Sequence, residues 1–289
     1  MNEIISSMRE ELASKILAII ESGNIKSWLK EWRALDAPYN AISKENYRGI
    51  NNLYLSTRSH SDPRYMTFKQ AADKGFKVKK GSKSYKVEKW TFFTGDASEG
   101  GGAAKEVKAV SVRYFNVFNA EQIEGIPELN ADEPREIKTL ERAEQIIRGC
   151  PITTGHGGAR AFYSPSTDCI QMPKRESFFT DAAYYGTLFH EYAHGTGHQS
   201  RLNRDRDENS GFGSRGYAFE ELVAEFAAAF ISKEIGLHTD ADEYERHLNN
   251  HAAYIKGWSE TKFNTTRVLE AISLANKAAN MVKSWGASQ

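Results

Sequence analysis

The chain is expected to be an α+β protein in two parts: an N-terminal α+β part, then a mostly helical part with a small β-sheet or hairpin. Three observations predict this. Apolar residues recur at helical spacing at the start of the chain and through its second half. Two runs rich in β-branched and aromatic residues, 85–92 and 107–118, stand close together in the first half. Between the halves lies an acidic, aperiodic stretch, 119–138, carrying Pro127 and Pro134. The expected domains are therefore 1–125 and 139–289, joined by a linker at 126–138.

Ile4, Ile5, Met8, Leu12, Ile16 and Ile20 predict an amphipathic first helix that stops at Gly23-Asn24. Pro38, Asn40 and the 46–52 stretch read as turns. Thr67 to Asp73 reads as a short helix ending near Gly75. The two strand-like runs flank Gly95 to Lys105, read as a flexible hairpin tip; its glycines fit neither phosphate-binding pattern. Thr139 to Arg148 is expected to be helical. Ala161 to Tyr163 and Cys169 to Met172 flank a turn-forming Ser164 to Asp168, which predicts a hairpin. Asp181 to His194 is a long helix closed by Gly195 and Gly197, and Tyr217 to Lys233 another closed by Gly236. Leu248 to Trp258 and Thr266 to Trp285 supply the remaining helices.

Of the 289 residues 40% are hydrophobic and 26% charged, which excludes a disordered chain. Cys150 and Cys169, the only cysteines, exclude a disulfide scaffold and fit free thiols in a reducing cytoplasm. No apolar run approaches the ~20 residues of a bilayer span, and no basic segment precedes an apolar block, so neither membrane partner nor signal peptide is expected. The net charge of zero hides an asymmetry: residues 1–125 hold 20 Lys and Arg against 15 Asp and Glu. The steepest stretch is 64–90, with nine basic residues against Asp73 and Glu88. That pattern suits a polyanion partner or a solvated lysine face.

Phe189 to His194 contains H-E-x-x-H. Residues four apart share a helix face, so His190 and His194 can hold one ion, with Glu191 placed as general base toward water. A catalytic site of this kind needs a third protein ligand. His198 follows a broken helix and suits a supporting or substrate-contacting role better than ligation. Glu221, on the following helix, is the expected ligand, with Glu220 and Glu225 as rivals. Glu225, four residues on, is expected to hold an imidazole N–H. Zinc is favoured, and manganese suits the same donors.

Tyr184, His190 to His194, Gly197-His198, Arg201-Leu202 and Tyr217 to Glu225 together resemble the ArdC antirestriction family of conjugative plasmids. Tyr163-Ser164-Pro165 and Asp168 to Pro173 resemble the segment before that family's metal helix. Trp28, Asn40, Tyr47 to Asn51, Thr67 to Ala71 and Gly75 to Gly81 resemble its single-stranded-DNA-binding domain. The family's Trp-Lys/Arg-Pro-Trp-like run here reads Trp28-Leu29-Lys30-Glu31-Trp32, without the proline. The resemblance implies single-stranded DNA as partner, a zincin-like metallopeptidase domain akin to SprT-like proteases, and a role shielding incoming DNA from restriction endonucleases.

Single-strand binding needs cations along phosphates and rings under bases. Lys69, Lys77, Lys79, Lys80 and Lys83, with Tyr47-Arg48 in a turn, are the expected contacts. Phe68, Phe76 and Trp90 are expected in the core instead. Three functions compete: a DNA-binding metallopeptidase acting on a protein substrate, a non-catalytic DNA-protecting module with a structural metal, and, less well supported, a metal-dependent nuclease. The oligomeric state cannot be read from these residues.

Overall fold

The computed structural model describes residues 3–25, 28, 29, 32, 36–94, 107–129, 136–204, 215–237 and 263–287. The elements run α1 (Glu3–Glu21), β1 (Tyr39–Asn40), α2 (Gly49–Ser56), β2 (Arg64–Thr67), α3 (Phe68–Asp73), β3 (Lys77–Val78), β4 (Tyr85–Thr94), β5 (Val107–Asn119) and β6 (Ile123–Glu124). They continue with α4 (Glu136–Gly149), β7 (Thr153–His156), β8 (Phe162–Ser164), β9 (Cys169–Met172), α5 (Asp181–Gly195), α6 (Arg215–Ile235) and α7 (Thr265–Trp285). The α+β class is as the sequence predicts. The glycine-rich tip at 95–105 and the helix expected at 248–258 lie outside the described residues. Among the described residues no helix is long and apolar enough to cross a membrane.

The chain forms two compact units, and neither is continuous in sequence. One comprises Met1–Ala37, Asn46–Thr57 and Asn130–Gln289; the other comprises Pro38–Glu45 and Arg58–Leu129. This differs from a division at 125 and 139, because α1 and α2 carry apolar faces that pack against α7. Met8, Leu12, Ile16 and Ile20 on α1 are buried, as are Leu53, Tyr54 and Leu55 on α2. The turn expected over 46–52 is thus a correction. Gly49, at φ +52, opens a helix whose apolar side was masked by neighbouring asparagines. Trp32 is also in this core, stacked on Trp28 at 5.5 Å and edge-on to Phe226 and Phe230 of α6. Neither tryptophan is an open platform for a base.

In the helical unit α5 packs on α6, and α6 on α7. The expected hairpin is present: β8 pairs antiparallel with β9, and Asp168 in the turn has φ +49. A strand that the sequence analysis did not foresee, β7, runs parallel to β9, giving the order β7-β9-β8. β9 is therefore central and β8 an edge.

The second unit holds a sheet of order β1-β2-β5-β4 and a two-stranded sheet β3-β6. Its core gathers Ala41, Met66, Ala71 and Ile123, with Phe76 and Phe118 packed alongside. Thr67 and Gln70 cap α3 reciprocally, the device that starts this helix. β5 pairs with β2 only over Val117–Asn119 but with β4 from Val107 to Val117, so β4 and β5 continue outward as a two-stranded ribbon. The aperiodic stretch after 119 is structured at its start: residues 120–122 form one 3-10 turn and β6 follows.

Candidate metal centre

Thr180 opens α5 by accepting a hydrogen bond from the Ala183 amide at 3.2 Å, and Asp181 in the first turn suits the positive end of the helix. The helix closes at Gly195 without a left-handed turn, Thr196 following at φ −60. A Cβ at Gly195 would meet the end of the Ile152 side chain, Cδ1, at 2.4 Å and touch the Tyr163 ring at 3.6 Å. Tyr184 to Ala193 is buried throughout, so its polar members need internal partners.

His190 and His194 lie one turn apart and their Nε2 atoms face each other at 3.0 Å. Glu221 of α6 spans both: Oε2 is 3.4 Å from His190 Nε2 and Oε1 is 3.4 Å from His194 Nε2. Donors held 2.0–2.1 Å from a tetrahedral zinc stand about 3.3 Å apart, so the three donors fit one divalent ion. Glu191 is buried, with 2% of its surface exposed. The outer ring nitrogens meet two more carboxylates of α6. His190 Nδ1 is 3.1 Å from Glu225 Oε1, and His194 Nδ1 is 3.5 Å from Glu220 Oε1. Glu221 and Glu225 share a helix face, and Glu220 lies one residue round from Glu221, so one helix reaches both rings.

Burial opposes charge on His190, but Glu225 and Glu221 outweigh it and hold its pKa well above the usual imidazole value. His194 is raised likewise, burial being overcome by Glu221 and Glu220. Burial would raise the acids, yet the facing cations win: Glu220 is held down to about 2, and Glu221 also sits well below the carboxylate range.

The third element of the site is a residue the sequence analysis missed. Arg204 is buried and donates to the Ala193 carbonyl at 2.7 Å and to Thr196 Oγ1 at 2.6 Å. It also donates to Glu220 Oε1 at 2.5 Å and Oε2 at 3.2 Å. It thus ties the carboxyl end of α5 to α6 and occupies both oxygens of Glu220, leaving Glu221 as the acid between the rings. A cation just after a helix end was the only signal in the sequence.

His198 does not join these donors. Its Nδ1 lies 2.8 Å from Ser200 Oγ and 3.9 Å from Asp168 Oδ2. Asp168 is held by an ion pair with Arg201 and a 2.7 Å hydrogen bond from Tyr163, and Arg201 Nε donates to the Gly195 carbonyl at 2.7 Å. The Arg201 pair holds the Asp168 pKa below its ordinary value.

The expected DNA contacts fall in different places. Arg48 is exposed but pairs with Glu234 at 3.1 Å, and Tyr47 is half-buried; both belong to the helical unit. Lys69, Lys77, Lys79, Lys80 and Lys83 are exposed on the other unit, Lys79 Nζ donating to the Glu121 carbonyl at 2.7 Å. Phe76 packs on the core as expected, but Phe68 and Trp90 are exposed, at 62% and 41%. That is a correction, and its cause is local. Phe68 is the first residue of a very short helix, and Trp90 lies on the ribbon beyond the β2 pairing.

Residues 6–119 match the N-terminal domain of anti-restriction factor ArdC, and residues 141–273 match a zincin-like metallopeptidase. Crystal structures of antirestriction ArdC protein from the R388 plasmid, metal-free and Mn(II)-bound, superpose with TM-scores of 0.68 and 0.69. They are 29% and 30% identical and cover 97% of this chain and 98% of theirs. The chain belongs to the ArdC family. Within the family's reach also lie the uncharacterized protein y4eC of Sinorhizobium fredii, 31% identical over 96% of this chain and 90% of its own length, and two DNA primase TraC chains of Escherichia coli. Those are 37% and 36% identical over 86% and 89% of this chain, which spans only 18% and 25% of their lengths. A zincin-like domain, a Mn(II)-bound relative and the His190, His194, Glu221 cluster together support a divalent metal in this ArdC-family chain.

Proposed function

We propose that this chain is an antirestriction protein that binds single-stranded DNA and shields incoming conjugative plasmid DNA from host restriction endonucleases. It carries an assembled HExxH metallopeptidase centre. The observation that carries the second half is the cluster of His190, His194 and Glu221, with donor separations of 3.0, 3.4 and 3.4 Å. His190, His194 and Glu221 would hold one divalent ion, zinc or manganese, which supplies Lewis acidity toward a carbonyl and its attacking water. Glu191, buried on the same helix, would take a proton from that water and hand it to the leaving amine. Glu225 and Glu220 would hold the two imidazoles in one tautomer by accepting from Nδ1. Lys69, Lys77, Lys79, Lys80 and Lys83 would track phosphates, with Arg48 and Tyr47 as further candidate contacts.

The test measures restriction protection and proteolysis side by side. Glu191→Gln is expected to keep protection of DNA while losing any peptide cleavage. Loss of protection in Glu191→Gln with metal still bound would contradict this division of labour. A second reading, a DNA-dependent protease acting on DNA-bound proteins, is favoured by the burial of Glu191 on the helix that carries both histidines and by β8, an edge strand to which an extended peptide could add. Cleavage by wild type that rises with single-stranded DNA and vanishes in Glu191→Gln would favour it.

A further inference from the structure

Among the described side chains, the β4–β5 ribbon carries two exposed rings, Trp90 and Phe115, and their surroundings differ. Side chains alternate along β4 and β5, so each face can be read from the register. One face carries Trp90 opposite Val112 and Glu88 opposite Tyr114. There Trp90 Nε1 donates to Glu88 Oε1 at 2.8 Å, so a carboxylate sits beside the exposed indole. The other face carries Tyr85 opposite Val117, Val87 opposite Phe115, and Lys89 opposite Arg113. On it Phe115 is 40% exposed, and both Lys89 and Arg113 are exposed. At its inner end the Arg58 guanidinium lies 5.2 Å from the Tyr85 ring centroid. His60 Nε2 is 2.8 Å from the Tyr85 hydroxyl, and Tyr65 meets that ring edge-on at 6.1 Å. Tyr85 is thus fixed from three sides, and among the described side chains Phe115 is the exposed ring on this face.

We infer that the face bearing Phe115, Lys89 and Arg113 is the stacking platform for single-stranded DNA, an assignment that rests on the DNA-binding reading above. Same-face neighbours on a strand are about 7 Å apart. The strip from the Arg58–Tyr85 pair through Phe115 to Lys89 and Arg113 therefore spans about 14 Å. One open ring lies between cations at both ends, the combination that holds a base by its flat side and its flanking phosphates by charge. The Trp90 face is mixed in charge, Lys86 and Glu88 lying on it with Glu88 bonded to the indole, so a phosphate beside that ring would meet a carboxylate. Phe68 is more exposed than Phe115, but it packs edge-on to Phe118 at 6.5 Å at the start of α3. The lysine turn at 77–83 supplies charge without an exposed ring.

The experiment uses the full chain and fluorescence anisotropy with labelled oligo-dT and a duplex of equal length, over a series of salt concentrations. Phe115→Leu is expected to weaken oligo-dT binding about 5- to 150-fold, the worth of one base stack, with an unchanged salt slope. Lys89→Gln with Arg113→Gln is expected to flatten the slope by about 1.4, near 0.7 for each phosphate contact to a single strand. Trp90→Leu and Phe68→Leu are expected to bind as wild type. If Phe115→Leu binds as wild type while Phe68→Leu or Trp90→Leu weakens binding, the platform is elsewhere and the single-strand reading stands. If wild type fails to bind oligo-dT at low salt, or prefers the duplex, the single-strand reading itself fails.

Discussion

The two compact units solve opposite electrostatic problems. In the helical unit, ionisable groups are buried and answer one another: His190 to Glu225 and Glu221, His194 to Glu220 and Glu221, and Glu220 to Arg204. Each would cost several kcal/mol alone in an apolar interior, so the cluster persists only as a set. In the sheet unit the lysines stand in water, where screening makes each worth little to the fold. Charge packed inward specifies a geometry, and charge spread outward specifies a partner. Substitutions in the buried cluster should therefore alter metal binding and folding together, and those at the exposed lysines should alter ligand binding with little effect on the fold.

The largest expected effect follows from removing a donor. His190→Ala or His194→Ala should abolish stoichiometric metal binding, read by metal analysis of purified protein. Next comes the core behind the site. Phe226→Ala, beside Trp28 and Trp32, should cost about 3–5 kcal/mol in urea unfolding. Arg204→Met should cost about 3 kcal/mol by removing the guanidinium from the buried Glu220 carboxylate, and adding Glu220→Gln should recover part of it. Full additivity of that pair would break the coupling claimed here. Glu225→Gln should lower metal affinity about 10- to 100-fold while leaving stoichiometry intact.

The sheet unit should respond more gently. Glu121 accepts from the Ser61 amide at 2.8 Å and the Asp62 amide at 3.1 Å, and meets His60 Nδ1 at 2.7 Å. Burial works against its charge, but these donors win and hold its pKa down to about 2. A depressed carboxylate stabilises the fold above its ordinary pKa, and that contribution disappears as pH falls through the folded value. Local protection of the Ser61 and Asp62 amides should therefore decay between about pH 4.5 and pH 2, and Glu121→Gln should flatten the profile. Smallest of all, Lys77→Gln and Lys80→Gln should shift unfolding by less than about 0.5 kcal/mol.

Legibility in the sequence follows the same division. The helix carrying His190, Glu191 and His194 was readable because spacing along one helix fixes which side chains share a face. Glu221 and Glu225 were readable for that reason too, although Glu220 could not be separated from Glu221 before Arg204 was seen to claim it. Arg204 was invisible because its partners are set by tertiary folding. The helix at Gly49–Ser56 was hidden by its asparagines, and β1, β3 and β6 are two residues long, too short to show a period. The lysines were correctly expected at the surface, but the rings were not. A ribbon leaving its sheet exposes aromatic residues that would be core in a wider sheet, and nothing local to Trp90 or Phe115 announces where pairing with β2 stops.

The most direct test of the central claim is calorimetric titration of metal-stripped protein with zinc and with manganese, comparing wild type, Glu221→Ala and Glu191→Gln. The account predicts that Glu191→Gln binds the ion like wild type and that Glu221→Ala loses it. Equal affinity in wild type and Glu221→Ala, or loss confined to Glu191→Gln, would contradict it.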